Sequence, residues 1–276
     1  MAVKQRLQGL AMATVDSVMA KVPRKVPDVA ALRDCKIVSH RGEHDNRTVM
    51  ENTLTAFDIA SAAGVWGLEC DIRWTRDQVP VICHDATLER VFGDTARVAE
   101  LSFDALRERA PAVPSLQEVL LRYGARQHLM LEIKALDTQR LSQQRDILRT
   151  LLADLRPAAD FHVLALDPQL FTLVAFLPSH TLLPVAETNV AALSREALAR
   201  GYAGLAGHYL LLNRRLQQRH RQAGQCIGTG FPRSRRALLR EIGRGVDWVF
   251  SNDAVFLQQQ LDDLCQRAVS IRGPIQ

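Results

Sequence analysis

From Ile37 onward the chain alternates short apolar runs with longer segments whose apolar positions recur at helical spacing, the order expected of parallel strands joined by crossover helices. Eight runs take strand positions: 37–40, 67–73, 129–134, 161–166, 181–187, 202–208, 225–231 and 247–252. A ninth, 79–84, follows the second through a turn at Asp77-Gln78 and is predicted to fold back on it. Eight strands are what a closed barrel needs, so the pattern predicts an α/β fold, a (β/α)₈ TIM barrel with an extra strand after the second barrel strand. The boundaries carry their own signals. Asn52 is predicted to cap a helix ending at Gly64, Ser115 and Glu118 to form a capping box with Gly124 at the stop position, and Asn213 and Gly224 to bracket a further helix. Asp167-Pro168 and Phe231-Pro232 each place proline at a first helical position. Residues 86–114 form the longest connection without a clear helical repeat and are expected to flank the functional site.

Residues 31–276 are read as a single barrel domain, and 1–30 as an N-terminal amphipathic helix with its linker. In the latter, Val3, Leu7, Leu10, Ala11, Val15, Val18, Met19 and Val22 make an apolar stripe flanked by Lys4, Arg6, Lys21, Arg24 and Lys25, and Pro23 and Pro27 end it. The spacing predicts a helix packed across the bottom of the domain, with peripheral membrane contact through residues 1–27 as the alternative.

Composition narrows the function classes. The 276 residues are 47% apolar and 24% charged, enough for a large core and ordinary for a globular chain. Thirty-five basic against 30 acidic residues give a formal charge of +5, too small an excess to imply a nucleic-acid partner without a basic motif, yet suited to an anionic small-molecule substrate. No run approaches 18 consecutive apolar residues, so no membrane span is expected. Five widely spaced cysteines without a CxxC pair, and an N-terminal stretch interrupted by Gln8, Thr14, Asp16 and Ser17 where a secretory leader would be apolar, read as a reduced, cytoplasmic protein.

Ionisable residues interrupt the apolar runs in a few places only. Val38-Ser39-His40-Arg41-Gly42 ends the first run, Leu68-Glu69-Cys70-Asp71-Ile72 lies in the second, and Val81-Ile82-Cys83-His84-Asp85 closes the added strand. Strand side chains alternate, so Glu69 and Asp71 project one way and Cys70 the other, and a cation between the two carboxylates would relieve their repulsion. Glu132 and Lys134 line the third barrel strand in the same way. Loops following the strands of a parallel barrel meet at one rim, which predicts that His40, Glu69, Asp71, His84, Glu132 and Lys134 come together there.

These residues, in this order, resemble the glycerophosphodiester phosphodiesterase family. The resemblance is carried across 37–134 by His40-Arg41-Gly42, Glu51-Asn52-Thr53 with Ala56-Phe57, Gly67-Leu68-Glu69-Cys70-Asp71, Thr75-Arg76-Asp77, Pro80-Val81, His84-Asp85 with Leu88 and Arg90, Pro114-Ser115-Leu116 and Glu132-Ile133-Lys134. Beyond 134 it is looser, through Asp167-Pro168 and Gly245-Val246-Asp247-Trp248 leading to Ser251-Asn252-Asp253. It implies metal-dependent hydrolysis of glycerophosphodiesters to an alcohol and sn-glycerol 3-phosphate. Glu69, Asp71 and Glu132 would be metal ligands, His40 and His84 the acid and base, and Arg41 and Lys134 the phosphate holders. The donor chemistry agrees, because three carboxylates without a Cys or paired-His set describe a hard-cation site for Ca²⁺ or Mg²⁺ and not a structural zinc. Met50 stands where the family usually has proline, Gln78 where it usually has glycine, and Gly228-Thr229-Gly230-Phe231 where it often has tryptophan or asparagine. A lysophospholipase D-like activity on lipid phosphodiesters and an inert barrel binding a phosphoryl ligand are the alternatives.

Overall fold

A computed structural model describes residue 17 and residues 19–270. Helix α1 (Val29–Arg33), capped by the Asp28 side chain, leads into β1 (Lys36–His40). There follow α2 (Leu54–Ala62), β2 (Gly67–Trp74), β3 (Pro80–Ile82), α3 (Glu89–Phe92), α4 (Phe103–Arg109), α5 (Leu116–Tyr123) and β4 (His128–Ile133). The second half runs α6 (Leu141–Leu151), β5 (Phe161–Ala165), β6 (Leu182–Ala186), α7 (Val190–Arg200), β7 (Gly204–His208), α8 (Arg214–Gln222), β8 (Cys226–Gly230), α9 (Arg235–Arg244), β9 (Trp248–Ser251) and α10 (Ala254–Ser270). The sheet order β1-β9-β8-β7-β6-β5-β4-β2 closes through β1–β2, and every pair in that ring is parallel. This is the predicted eight-stranded barrel. Strand β3 pairs antiparallel with β2 outside the ring, as the turn at Asp77-Gln78 requires, and Gln78 adopts φ +66° there.

Alternation divides the strand residues between two cores. Outward-facing Ile37, Leu68, Cys70, Ile72, Leu131 and Val163 pack under the helices. Inward-facing Val38, Met130, Leu164, Leu183, Trp248 and Phe250 fill the barrel. A third, smaller core of Val81, Leu88, Val98, Leu106 and Val113 supports residues 86–114, which contain α3, α4 and a 3₁₀ turn at Val98–Glu100.

Several boundaries differ from the sequence reading. Thr53, not Asn52, caps α2, because Asn52 sits at φ +58° with its side chain turned into the barrel. The proline of Phe231-Pro232 does not open a helix: its carbonyl accepts the Ser251 hydroxyl, and α9 starts after Ser234. Asp167-Pro168 opens a 3₁₀ helix, Pro168–Val174. The capping box at Ser115 and Glu118 and the Asn213 cap form as predicted. Of the amphipathic stripe, Val3 to Val15 and Val18 lie outside the described residues. The Arg236 guanidinium, in the first turn of α9 at the C-terminal rim of the barrel, donates to the Ala20 and Lys21 carbonyls. The end of that segment therefore lies at that rim and not across the bottom of the domain.

At the opposite end of the barrel, His128 and His162 meet at 2.8 Å between stacked Trp66 and edge-on Trp248. Burial pushes His128 down to about 4 and, together with His128 and His180, pushes His162 down to about 3; Lys36 adds to both, while the Ala159 carbonyl and Asp160 oppose it at His128. Both rings are therefore neutral when folded and bind protons when unfolded below 6.5. Their stability contribution is complete above that pH and is lost as pH falls through it, at up to about 1.4 kcal/mol per pH unit per ring. Thermal denaturation between pH 7 and 5 should show a falling Tm, and His128→Leu with His162→Leu should flatten that slope.

Candidate active site

The register of the ring assembles the site. His40 pairs with Glu69 across β1–β2, and Asp71 pairs with Glu132 across β2–β4, so alternation turns all four side chains to the barrel interior at its C-terminal end. One carboxylate oxygen from each of Glu69, Asp71 and Glu132 lies within 4.8 Å of the others, and all three residues are buried. Lys134, next on the same face of the chain, places Nζ 2.6 Å from Glu132 Oε1 and 3.2 Å from Asp71 Oδ1. Arg41 Nε is 3.0 Å from Asp71 Oδ2 and its Nη1 is 3.0 Å from Glu51. The backbone of Arg41 is left-handed (φ +61°), and a Cβ on Gly42 would come within 2.7 Å of Ala56, so the tight turn after His40 requires glycine there.

The two histidines are held by different partners. His40 donates from Nδ1 to Asn252 Oδ1 (2.6 Å), packs on Phe231 and keeps Nε2 3.7 Å from Glu69. His84 donates from Nδ1 to the Asp85 carboxylate (2.7 Å). Arg90, reaching in from α3, binds Asp85 through Nε and Glu51 through both Nη atoms (2.8 and 2.6 Å), and Asn46 donates to Glu51 as well. A chain of alternating charge thus runs from Asp85, beside His84, through Arg90, Glu51 and Arg41 to Asp71. Asn52 completes the inner group, donating to Asp71 Oδ2 at 2.8 Å.

The electrostatics follow from this crowding. Burial, then repulsion from Asp71 and Glu132, raises Glu69 well above the carboxylate range; burial and Asp71 raise Glu132, with Lys134 opposing. Burial works against ionisation of Asp71 too, but Arg41 and Lys134 outweigh it and hold its carboxyl down. Glu69 Oε1 is buried without a hydrogen-bond partner. An unpartnered oxygen among three mutually repelling carboxylates fits a hard divalent cation, which would be held by Glu69, Asp71 and Glu132. Burial, with Arg41, pushes His40 down to about 3, so its ring is neutral. Burial pushes the Cys70 and Cys83 thiols up, which leaves both as unreactive packing groups.

All seven residues singled out in the sequence therefore lie at this end of the barrel. Sequence reasoning gave no role in the site to Glu51, Asp85, Arg90 or Asn252, and read Asn52 only as a helix cap. The expectation that 86–114 flanks the site is met through Arg90. Burial opposes ionisation of Glu51, but the hydrogen bonds from Arg90 and the charge of Arg41 hold it down to about 2. Its ion pairs contribute fully above the ordinary value of 4.5 and are lost as pH falls through about 2. Glu51→Gln should cost roughly 2–3 kcal/mol at pH 7, less than a fully buried pair because Arg90 is half exposed. Chemical denaturation should show the gap to wild type shrinking below about pH 4.5.

Residues 40–164 match the model of the Glycerophosphoryl diester phosphodiesterase family. Glycerophosphodiester phosphodiesterase 1 of Bos taurus is 37% identical over 91 residues, 32% of this chain and 27% of the relative. Probable glycerophosphodiester phosphodiesterase 1 of Mycobacterium tuberculosis is 40% identical over 72 residues, 26% of each chain. The chain spans about a quarter of the length of the curated relatives it matches. Among solved structures, a phosphodiesterase of Oleispira antarctica in complex with the product sn-glycerol-3-phosphate superposes with a TM-score of 0.69 at 20% identity, covering 82% of this chain and 96% of the other. The glycerophosphodiester phosphodiesterase of Thermotoga maritima gives 0.68, also at 20% identity, covering 82% and 97%. The segment that carries the site, residues 40–164, is thus similar to the glycerophosphoryl diester phosphodiesterase family.

Proposed function

We propose that the chain hydrolyses glycerophosphodiesters to an alcohol and sn-glycerol 3-phosphate, with a divalent cation, Ca²⁺ or Mg²⁺, at the three carboxylates. The observation that carries this reading is the pair of histidines beside that cluster, each with Nδ1 committed to a fixed partner and Nε2 left for proton transfer. A cation held by Glu69, Asp71 and Glu132 would supply electrophilic stabilisation of the charge growing on the phosphoryl oxygens. Charge balance favours it. With all three carboxylates ionised, Arg41 and Lys134 leave the inner group one unit negative, unfavourable for an anionic diester, whereas a divalent cation holds the three ionised and turns the group one unit positive.

Arg41 and Lys134 hold the phosphate, Arg41 being steered by Glu51 and Lys134 by Glu132. The partners divide the proton work. His84, its Nδ1 fixed on the Asp85 carboxylate, is the acid that protonates the leaving alcohol; His40, its Nδ1 on the neutral Asn252 amide and its ring neutral, is the base for the attacking hydroxyl. The test is release of sn-glycerol 3-phosphate from glycerophosphocholine and glycerophosphoethanolamine by purified protein with Ca²⁺ or Mg²⁺. No product from several headgroups with either metal would overturn the proposal.

A further inference from the structure

Beside the catalytic centre, between the ends of β2 and β4 and the 86–99 segment, lies a cavity of ≈ 270 Å³. Four arginines line it, Arg73, Arg76, Arg97 and Arg140, with Asp137 as the one acidic residue of the lining and Gln144 as a buried amide. Arg73 lies two residues beyond Asp71 on the same strand, and its Nε donates to the His84 carbonyl at 2.7 Å, so this lining side chain is tied directly to the backbone of a site residue. Its Nη atoms remain for a ligand. Among the described residues neither Arg73 nor Arg76 is in an ion pair, whereas Arg97 sits 3.4 Å from Glu100 and Arg140 3.8 Å from Asp137, both exposed contacts. Gln144 Oε1 is buried without a hydrogen-bond partner and is an acceptor for a hydroxyl.

Arg140 spends Nη1 on the Arg76 carbonyl at 2.9 Å, but four cationic side chains against one carboxylate still form a place for an oxyanion, since guanidinium binds phosphate and carboxylate bidentately. The scissile phosphate has its own holders in Arg41 and Lys134, so this second set calls for a second anion. We propose that the cavity is an anion subsite contiguous with the catalytic centre, which takes a phosphate or carboxylate that the substrate carries in addition to its scissile diester. The inference rests on the phosphodiesterase reading and deepens it. The substrate class is then a glycerophosphodiester with a further anionic group on a hydroxylated substituent, in preference to a zwitterionic choline or ethanolamine ester.

The test compares kcat/KM for bis(glycerophospho)glycerol and for glycerophosphoglycerol, which lacks the second phosphate. Wild type should favour the former by about tenfold or more at low salt, with the preference shrinking as salt screens it. Arg76→Gln combined with Arg97→Gln should bring the ratio close to one. A wild-type ratio within about twofold, or one that survives the double substitution, overturns the subsite. Calorimetric titration of bis(glycerophospho)glycerol into His40→Ala protein, with and without Arg76→Gln and Arg97→Gln, reads the subsite without turnover. There the double substitution should raise Kd by about tenfold. If no diester is cleaved, the catalytic reading fails while this comparison still decides the subsite; absent binding, or an unchanged Kd, overturns it.

Discussion

His84→Ala is expected to lower kcat on glycerophosphodiesters by about two to four orders of magnitude, the range for loss of a positioned general acid or base. The same substitution should matter far less for a p-nitrophenyl phosphodiester, whose leaving group departs without a proton. His40→Ala should lose rate on both substrates, because the attacking hydroxyl must be deprotonated in either case. The asymmetry comes from the partners on Nδ1, the Asp85 carboxylate for His84 and the Asn252 amide for His40. Asp85 is itself fixed by Arg90, which Glu51 holds, so Asp85→Asn should reproduce part of the His84→Ala pattern. Steady-state rates on the two substrate types check both statements. Equal losses on both for His84→Ala would remove the acid assignment, and near-wild-type turnover by either alanine variant would remove that histidine from the proton transfer.

The parts of this molecule that sequence reasoning reached are those governed by local periodicity. Period-two alternation places Glu69, Asp71 and Glu132 on one face, and eight apolar runs require a closed ring, which the β1–β2 pairing supplies. What escaped was set by contacts between distant segments. Asn52 reads as a cap from its neighbours alone; Asp71, 19 residues on, takes its side chain, and Thr53 caps instead. Asn252 is 212 residues from His40 and meets it only because β9 closes against β1. Arg90 lies in a segment with no helical repeat, where its bonds to Glu51, 39 residues back, leave no local signature. Phe231-Pro232 has the form of a helix start, but the proline carbonyl is tied to Ser251 and the helix begins later.

Glu69→Gln should separate stability from catalysis in opposite directions. In the cation-free chain the raised Glu69 carboxyl takes up a proton on folding that the unfolded chain, with an ordinary value near 4.5, releases at neutral pH. That uptake weakens the fold increasingly as pH rises above 4.5, so replacing the carboxyl by an amide removes the penalty and should raise Tm at pH 7–8 in EDTA. Asp71→Asn should do the reverse, because Arg41 and Lys134 would lose a buried counter-charge, at a cost of about 3–5 kcal/mol. With cation present the order changes. Wild type should gain about 2.7 kcal/mol of stability at a concentration one hundred times Kd, and Glu69→Gln, short of one ligand, should gain little of it. Activity should follow the cation, falling to background in EDTA, returning with added Ca²⁺ or Mg²⁺ in wild type, and staying low in the variant. Differential scanning calorimetry with and without EDTA, alongside product release, reads both effects. A wild-type Tm and rate that EDTA leaves unchanged would show that the three carboxylates do their work without a cation, with Lys134 and Arg41 as their counter-charges.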